Sequence, residues 1–260
     1  MDWCDRGFLT IDGVRLEYGC MGPPPSDAPT AILLHEGLGC VDLWRDFPEQ
    51  LCKTLGCGVF TYSRQGYGAS DPVQLPRPLN YMTLEAINVL PKIVEHLSPT
   101  QFQLIGHSDG ATIAAIYAGD HGHDKLSGVT LIAPHFFTED MGIAQIKAAK
   151  HAFETTNLPE KLGKYHRHAE NAFYGWNQSW LHPDFRSWDV QDVIEKITTP
   201  ILAIQGMDDQ YGTLHQIQSI KARARVSVNV EILQDCKHSP HLEHPTKVLD
   251  AIKTFSIAIR

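Results

Sequence analysis

Short, mostly apolar runs recur along this chain and alternate with longer stretches in which apolar residues are three or four positions apart. The runs are residues 31–34, 58–62, 102–105, 129–133, 200–205 and 228–233. Continuous runs of this length are typical of strands buried on both faces of a parallel sheet, and the spaced pattern is typical of amphipathic helices. We therefore predict an α/β fold, with a doubly wound, mostly parallel sheet and helices on both faces.

Two local signals refine this pattern. Residues 7–11 and 14–18 flank Asp12-Gly13, a dipeptide that predicts a two-residue hairpin between antiparallel strands. Residues 84–97 have helical spacing, and Pro91 is expected either to kink this helix or to lie near one of its ends.

One long segment departs from the alternation of strands and helices. Residues 135–190 have apolar residues at helical spacing and contain no clear buried strand. We interpret them as a helical insertion above the sheet. The predicted division is therefore an α/β core made of residues 1–134 and 191–260, with residues 135–190 as a helical cap.

The apolar run at residues 102–105 ends in Gly-His-Ser-Asp-Gly at residues 106–110, with Ser108 at the centre. A strand, a tight turn and an alanine-rich helix in this order are the context of a nucleophile elbow, in which a strained residue holds its side chain clear of both elements. Glycines flank it because backbone segments approach closely there. An ordinary strand-to-helix turn is the alternative, which the surrounding pattern disfavours.

Chemically active side chains follow three of the buried runs. Ser108 follows the third run, Asp208 and Asp209 follow the fifth, and His238 follows the last. Ligands bind at the carboxyl ends of strands in open α/β sheets, so these residues are expected to meet. A serine nucleophile needs an imidazole base, and the imidazole needs a carboxylate that fixes its tautomer and stabilises its charge.

The motifs Gly-His-Ser-x-Gly, strand-end Gly-x-x-Asp and His-Ser-Pro-His-Leu-Glu-His-Pro together resemble the α/β-hydrolase superfamily, in its esterase/lipase-like branch with a helical cap. The order Ser, Asp, His along the chain is also that of this superfamily. The resemblance extends from residues 31–39 to the last helix. It implies that Ser108 is the nucleophile, His238 the base and Asp209 the acid, with Asp208 as the alternative acid.

The resemblance also implies an oxyanion hole made of backbone N–H groups. Asp109 is expected to provide one donor and Gly37 the other, with Leu38 as the next candidate. The family usually has a glycine where this chain has Glu36, and a carboxylate there would oppose the negative charge of the transition state. We expect Glu36 to pair with Arg64, which would keep its charge out of the pocket.

Substrate contacts are expected from the strand-end loops and from the aromatic residues of the insertion, because ligand pockets are mostly apolar. The predicted substrate-binding residues are Leu38, His135, Phe136, Trp176, Trp180 and His241. The alternative is that these aromatic side chains build the core of the cap itself. His241 is expected to line or brace the pocket.

Composition and charge exclude several classes of function. The formal net charge of −8 and the lack of a basic stripe argue against a nucleic-acid partner. No set of spaced His and Cys ligands predicts a metal site. No secretory signal or membrane span is visible, and the six cysteines form no regular framework, so a cytoplasmic protein with free thiols is predicted. The oligomeric state stays open between a monomer and a homodimer.

These observations predict a cofactor-independent serine hydrolase. It would cleave a small carboxylic ester, or a lactone or thioester, through a covalent acyl-enzyme intermediate. Two alternatives remain. A C–C bond hydrolase would use the same three residues, and a catalytically weak ligand-binding protein would keep the pocket without rapid turnover.

Overall fold

An eight-stranded sheet forms the centre of the described chain, which comprises residue 3 and residues 6–122 and 124–259 of a computed structural model. The strands are β1 (Arg6–Ile11), β2 (Val14–Met21), β3 (Thr30–Leu34), β4 (Gly58–Tyr62), β5 (Phe102–His107), β6 (Leu126–Ile132), β7 (Ile201–Gly206) and β8 (Val228–Leu233). Their order is β1-β2-β4-β3-β5-β6-β7-β8. Strand β2 pairs antiparallel with β1 and β4, and the other pairs are parallel. The predicted hairpin and mostly parallel sheet are confirmed.

Helices cover both faces of this sheet. The α-helices are α1 (Phe47–Leu55), α2 (Tyr81–Leu84), α3 (Leu90–Leu97), α4 (Asp109–His121), α5 (Asp140–Thr155), α6 (Leu158–Leu162), α7 (Ala169–Trp180), α8 (His215–Arg223), α9 (Pro240–Glu243) and α10 (Pro245–Ala258). On β3, Ile32 and Leu34 join one hydrophobic core, and Ala31 and Leu33 join a second core. Because successive side chains of a strand point to opposite faces, a strand covered on both sides must be apolar throughout.

The helix predicted over residues 84–97 is longer than its pattern suggested. It runs from α2 through a π-helical segment, Glu85–Val89, directly into α3. Pro91 lies in the first turn of α3, and a proline lacks an N–H and crowds the carbonyl four residues earlier. The wider π-helical turn in front of it accommodates both effects. Pro91 therefore changes the helical pitch and does not end the helix.

The predicted insertion is helical in the structure. It contains α5, α6 and α7, and the chain enters and leaves it along neighbouring segments. Phe137 and Asp189 form an isolated antiparallel bridge, and the Val190 N–H donates to the Phe136 carbonyl at 2.8 Å. The helical content agrees with the sequence pattern, and the division into a core and a cap domain stays a prediction.

The turn between β5 and α4 depends on two glycines. A Cβ atom at Gly106 would lie 2.2 Å from the Gly110 carbonyl oxygen, and a Cβ atom at Gly110 would lie 1.9 Å from the Leu34 carbonyl oxygen. Both distances are far below van der Waals contact. Any side chain at Gly110 would therefore push α4 away from the end of β3.

We predict that Gly110→Ala lowers the free energy of unfolding by at least about 2 kcal/mol, because overpacked sites relax only by backbone movement. Urea denaturation measures this change. Gly163→Ala is the control, since Gly163 has an ordinary helical φ of −61° and its nearest neighbour would lie 3.3 Å from a Cβ atom. Its effect should stay within about 0.5 kcal/mol. Equal stabilities of the two variants would contradict the steric account.

Candidate active site

Ser108 joins β5 to α4 in a strained backbone conformation. Its φ is 54° and its ψ is −119°, a region that residues other than glycine rarely adopt. The Ser108 N–H donates to the Ile132 carbonyl at 2.9 Å, and the Ser108 carbonyl accepts from the Ala111 N–H at 2.9 Å. Hydrogen bonds on both sides hold the strained residue in place.

Ser108 and His238 line one cavity of about 110 Å³. The other lining residues are Glu36, Gly37, Leu38, His135, Gly142, Ile146, Trp176, Trp180 and Tyr211. Within the described residues, the His238 ring makes its hydrogen bonds to Asp209 and none to the Ser108 hydroxyl. Contacts between a nucleophile and its base often tighten only when substrate is bound.

His238 is held by a buried carboxylate. Its Nδ1 atom lies 2.9 Å from both oxygens of Asp209, whose side chain is 1% exposed. Gln205 and the Tyr211 N–H also donate to Asp209. Burial alone would raise the pKa of Asp209, but the hydrogen bond and charge of His238 outweigh it and lower that pKa. The ionised carboxylate of Asp209 thus accepts the His238 Nδ1–H, which leaves Nε2 free to accept a proton. The alternative acid, Asp208, is exposed.

Gly37 and Asp109, the predicted backbone donors, both lie near Ser108: Gly37 lines the same cavity, and Asp109 is the next residue of the chain. Asp109 is the first residue of α4, where N–H groups have no acceptor within the helix and the helix dipole favours negative charge. Gly37 packs against the Trp176 indole: a Cβ atom at Gly37 would lie 2.3 Å from two indole atoms. The cavity therefore meets Gly37 and Ser108 on one side and the insertion on the other. Their role as an oxyanion hole stays a prediction.

The side chain of Asp109 connects the elbow to the insertion. The Tyr81 hydroxyl donates to Asp109 Oδ2, and Trp180 Nε1 donates to the Tyr81 oxygen at 3.1 Å. Asp109 is 1% exposed, and this burial raises the pKa of its carboxyl group despite the nearby Arg64. A wall residue of the cavity is thus hydrogen-bonded, through one tyrosine, to the residue that follows Ser108.

Four of the six predicted substrate-binding residues line the cavity, namely Leu38, His135, Trp176 and Trp180. The other two do not, and their predicted substrate contact is corrected. Phe136 is fully buried in the hydrophobic core, and its backbone N–H donates to Gln216. His241 packs its ring against Trp44 and Phe47, with centroids 4.9 and 5.3 Å apart, and so braces the site from behind.

Three further wall residues were not singled out by the sequence. Tyr211 follows Asp209 by two positions, and its ring centroid lies 4.7 Å from that of His238. Its position in the loop that follows β7, close to Asp209, was the sequence signal that could have identified it as a wall residue. Gly142 and Ile146 lie four residues apart on α5, so they share one face of that helix. The spacing predicts the shared face, but nothing in the sequence indicates that this face meets Ser108.

The expected pairing of Glu36 with Arg64 is wrong. The guanidinium of Arg64 donates to the backbone carbonyls of His35 and Glu36, with Nη2 at 2.9 Å from the Glu36 oxygen. Backbone carbonyls thus take up the buried cation, and the carboxylate turns elsewhere. Glu36 Oε2 lies 3.5 Å from Nδ1 of His107.

Three global features of the described residues complete the picture. No helix among them has the length and apolar character that crossing a bilayer requires. No three His, Cys, Asp or Glu side chains of residues 6–122 and 124–259 gather as metal ligands would. None of the five described cysteines forms a disulfide bond, and Cys4 lies outside the described part of the chain.

The chain matches known proteins over most of its length. Monoacylglycerol lipase abhd6-A from Xenopus laevis is 23% identical over 272 residues, which cover 92% of this chain and 78% of the lipase. A membrane phospholipase A described as a bacterial virulence factor has a TM-score of 0.79 at 20% identity, covering 98% of this chain and 86% of that one. The enol-lactonase from Burkholderia xenovorans LB400 has a TM-score of 0.74 at 17% identity, covering 96% of this chain and 100% of that one.

These solved structures share the fold of this chain. Membership of a family is shown by the match of the sequence to a family model. The model of the alpha/beta hydrolase family matches residues 31–251, which include the elbow and the strand-end loops with Asp209 and His238. The chain therefore belongs to the alpha/beta hydrolase family.

Proposed function

We propose that this protein is a serine hydrolase that cleaves small carboxylic esters through Ser108, His238 and Asp209. The observation that carries the proposal is the pair of Asp209 and His238 at 2.9 Å, whose imidazole lines the same cavity as the strained Ser108. Relatives named as a lipase and a lactonase support acyl-bond hydrolysis. Lactones and thioesters present a similar carbonyl carbon and belong to the same proposal.

The reaction follows from the roles of the three side chains. His238 Nε2 takes the proton of the Ser108 hydroxyl while the serine oxygen attacks the carbonyl carbon. Asp209 stabilises the resulting imidazolium and keeps Nε2 directed at the reacting atoms. His238 then gives its proton to the leaving alcohol, and an acyl-enzyme forms. Water, activated by the same imidazole, releases the acid and restores Ser108.

Charge that develops on the carbonyl oxygen needs fixed donors. The N–H groups of Gly37, which lines the same cavity as Ser108, and of Asp109, which follows Ser108, are proposed to bind that oxygen. Removing one such donor from a site of this kind typically costs about 10² to 10³ in kcat, because the donors are preorganised and shielded from water.

The cavity favours a short and uncharged acyl group. Its volume of about 110 Å³ compares with roughly 150 Å³ for a cavity that holds one benzene molecule, which points to acyl chains of about two to four carbons. Burial, reinforced by the charge of nearby His238, lowers the pKa of His135 to about 3, so this wall residue stays neutral near pH 7. The insertion at residues 135–190 is proposed to act as the cap that selects the substrate. The cytoplasmic location stays a prediction.

The alternatives are separated by two direct comparisons. A C–C bond hydrolase would prefer vinylogous diketones to esters of equal size, so kcat/KM for both classes decides between them. A ligand-binding protein would hydrolyse neither class, and a fluorophosphonate probe would fail to label Ser108. Rapid labelling of Ser108 by the probe and turnover of the esters support the proposal.

We predict that Ser108→Ala lowers the kcat/KM for p-nitrophenyl acetate by at least about a thousandfold, because the acyl-enzyme can no longer form. Ser187→Ala is the matched control, since Ser187 is an exposed serine of the insertion. Its activity should match that of the unaltered protein. Activity of Ser108→Ala within tenfold of the unaltered protein would refute the assignment.

The two neighbouring aspartates provide a second matched pair. Asp209→Asn should lower kcat by roughly 10³ to 10⁴, since an amide favours the wrong tautomer of His238. Asp208→Asn should change kcat less than about threefold, because the Asp208 side chain is exposed. Similar losses in the two variants would show that the carboxylate assignment is wrong.

Cavity size gives a third prediction. Ile146→Ala should raise the ratio of kcat/KM for the hexanoate ester to that for the acetate ester by at least about fivefold, because it opens the wall of the acyl pocket. Ile143→Ala is the control, as Ile143 is buried on the same helix but does not line the cavity. An unchanged ratio for Ile146→Ala would place the acyl chain elsewhere.

A further inference from the structure

Two buried side chains hold one backbone carbonyl next to the proposed oxyanion donor. Arg64 and His35 are each 1% exposed, and Arg64 Nη2 donates to the Glu36 carbonyl at 2.9 Å. His35 Nε2 accepts the backbone N–H of Arg64 at 3.1 Å. That nitrogen therefore carries no proton, and the ring proton is on Nδ1. The His35 Nδ1–H donates to the same Glu36 carbonyl at 2.7 Å.

The Glu36 carbonyl belongs to the peptide group that carries the Gly37 N–H. This peptide is trans, since the single cis bond of the described residues is Leu75-Pro76. The C=O and N–H of a planar trans peptide point in opposite directions. The carbonyl points to Arg64 and His35, so the Gly37 N–H points away from them.

The Gly37 N–H is available to a ligand. Gly37 is buried and lines the cavity together with Ser108. Within the described part of the chain, the Gly37 N–H donates to no acceptor. Buried backbone N–H groups are nearly always paired, so an unpaired one at the wall of a cavity indicates that a bound molecule supplies the acceptor.

The other two N–H groups of the turn at residues 36–39 differ from that of Gly37. No described residue donates to the Gly37 carbonyl, so the peptide group that carries the Leu38 N–H is not held in this way. The Leu38 carbonyl accepts from His166 Nε2 at 3.0 Å, but the Gly39 N–H of that peptide donates to the Glu36 carbonyl at 3.1 Å. The Gly37 N–H alone in this turn is both held and unpaired.

We infer that Arg64 positions the Gly37 N–H as an oxyanion donor by holding the carbonyl of the same peptide group. Arg64 Nη1 also donates to the His35 carbonyl, so the guanidinium is fixed against two successive carbonyls. A hydrogen bond from a cation polarises the peptide and strengthens its N–H as a donor. Arg64 does not line the cavity and acts only through this peptide, so it is a positioning residue. The inference rests on the proposed function of Ser108.

Arg64→Lys tests the role of the guanidinium. Lysine keeps the buried positive charge, but its ammonium cannot reproduce the planar fork that spans two carbonyls. We expect kcat for p-nitrophenyl acetate to fall at least about tenfold, because a loosely held donor stabilises the oxyanion less. KM should change less than about twofold, because the lost interaction belongs to the transition state. Circular dichroism and the melting temperature check the fold.

Arg77→Lys is the matched control. Both guanidinium groups lie over the Tyr67 ring, with Arg64 at 5.2 Å and Arg77 at 4.9 Å from its centroid. Arg77 is also buried, but it donates to the Gln65 carbonyl, outside the turn after β3. Its replacement should leave kcat within about threefold of the unaltered protein. Equal losses of kcat in the two lysine variants would overturn the inference.

His35→Gln removes the second donor without changing the arginine. The glutamine oxygen can replace Nε2 as the acceptor of the Arg64 N–H, but glutamine has no donor at the position of Nδ1. We expect kcat to fall at least about threefold with little change in KM, since the Glu36 carbonyl keeps one of its two side-chain donors. If Arg64→Lys and His35→Gln both keep the kcat of the unaltered protein, the inference is wrong.

Nuclear magnetic resonance observes this peptide group without any enzymatic assay. Glu36-Gly37 is the single Glu-Gly dipeptide of the sequence. Cell-free synthesis with carbonyl-¹³C glutamate and ¹⁵N glycine therefore gives one signal from a bonded ¹³C–¹⁵N pair. Hydrogen bonds move a carbonyl ¹³C resonance downfield, so the Glu36 signal should move upfield in Arg64→Lys and stay in place in Arg77→Lys. An unmoved signal in Arg64→Lys overturns the inference.

The same label separates the inference from the proposed function. A fluorophosphonate that labels Ser108 leaves a tetrahedral adduct with an oxygen where the oxyanion would lie. The Gly37 amide proton should move downfield when this adduct forms in the unaltered protein, and it should move less in Arg64→Lys. A labelled Ser108 with an unmoved Gly37 signal overturns the inference. Failure to label Ser108 overturns the proposed function, and the Glu36 carbonyl signal still tests whether Arg64 holds the peptide.

Discussion

The arrangement of the site depends on the close approach of helix α4 to the end of strand β3. Gly110 leaves no space for a side chain against the Leu34 carbonyl. This approach brings the elbow at Ser108 beside the loop that follows β3, so Gly37 and the N-terminus of α4 border one cavity. A single steric condition thus sets the position of Ser108 and of the backbone at Gly37 and Asp109. Ser108, two residues before Gly110, has the positive φ of 54° in the turn between these elements.

Two contacts fix His238 at two different places. Asp209 holds the ring of His238 at Nδ1, and His107 Nε2–H donates to the backbone carbonyl of the same residue at 2.7 Å. The ring and the backbone of the proposed base are therefore fixed by separate groups from separate strand ends. The side chains of Asp209 and His107 are each 1% exposed, so both contacts lie away from solvent.

The sheet, and the meeting of His238 with Asp209 beside the cavity that Ser108 lines, could be predicted because their causes are local. Strands buried on both faces must be apolar throughout, and the elbow needs small residues on either side of Ser108. The partner of Glu36 could not be predicted, since it depends on how Arg64 meets backbone carbonyls that no sequence pattern reports. Phe136 was misassigned because the sequence does not distinguish an aromatic side chain that faces the substrate from one that packs in the core. The domain division, the donors and the substrate contacts remain predictions.

The hydrogen bonds from Trp180 through Tyr81 to Asp109 join the wall of the cavity to the first turn of α4. The shape of the cavity wall and the position of the first turn of α4 are therefore linked. A change at the wall that tilts Trp180 also alters the support of the N–H group beside Ser108. A substitution of Trp180 in the insertion is therefore not confined to the wall of the cavity. A redesign of the cavity wall has to keep or replace Trp180, Tyr81 and Asp109 together.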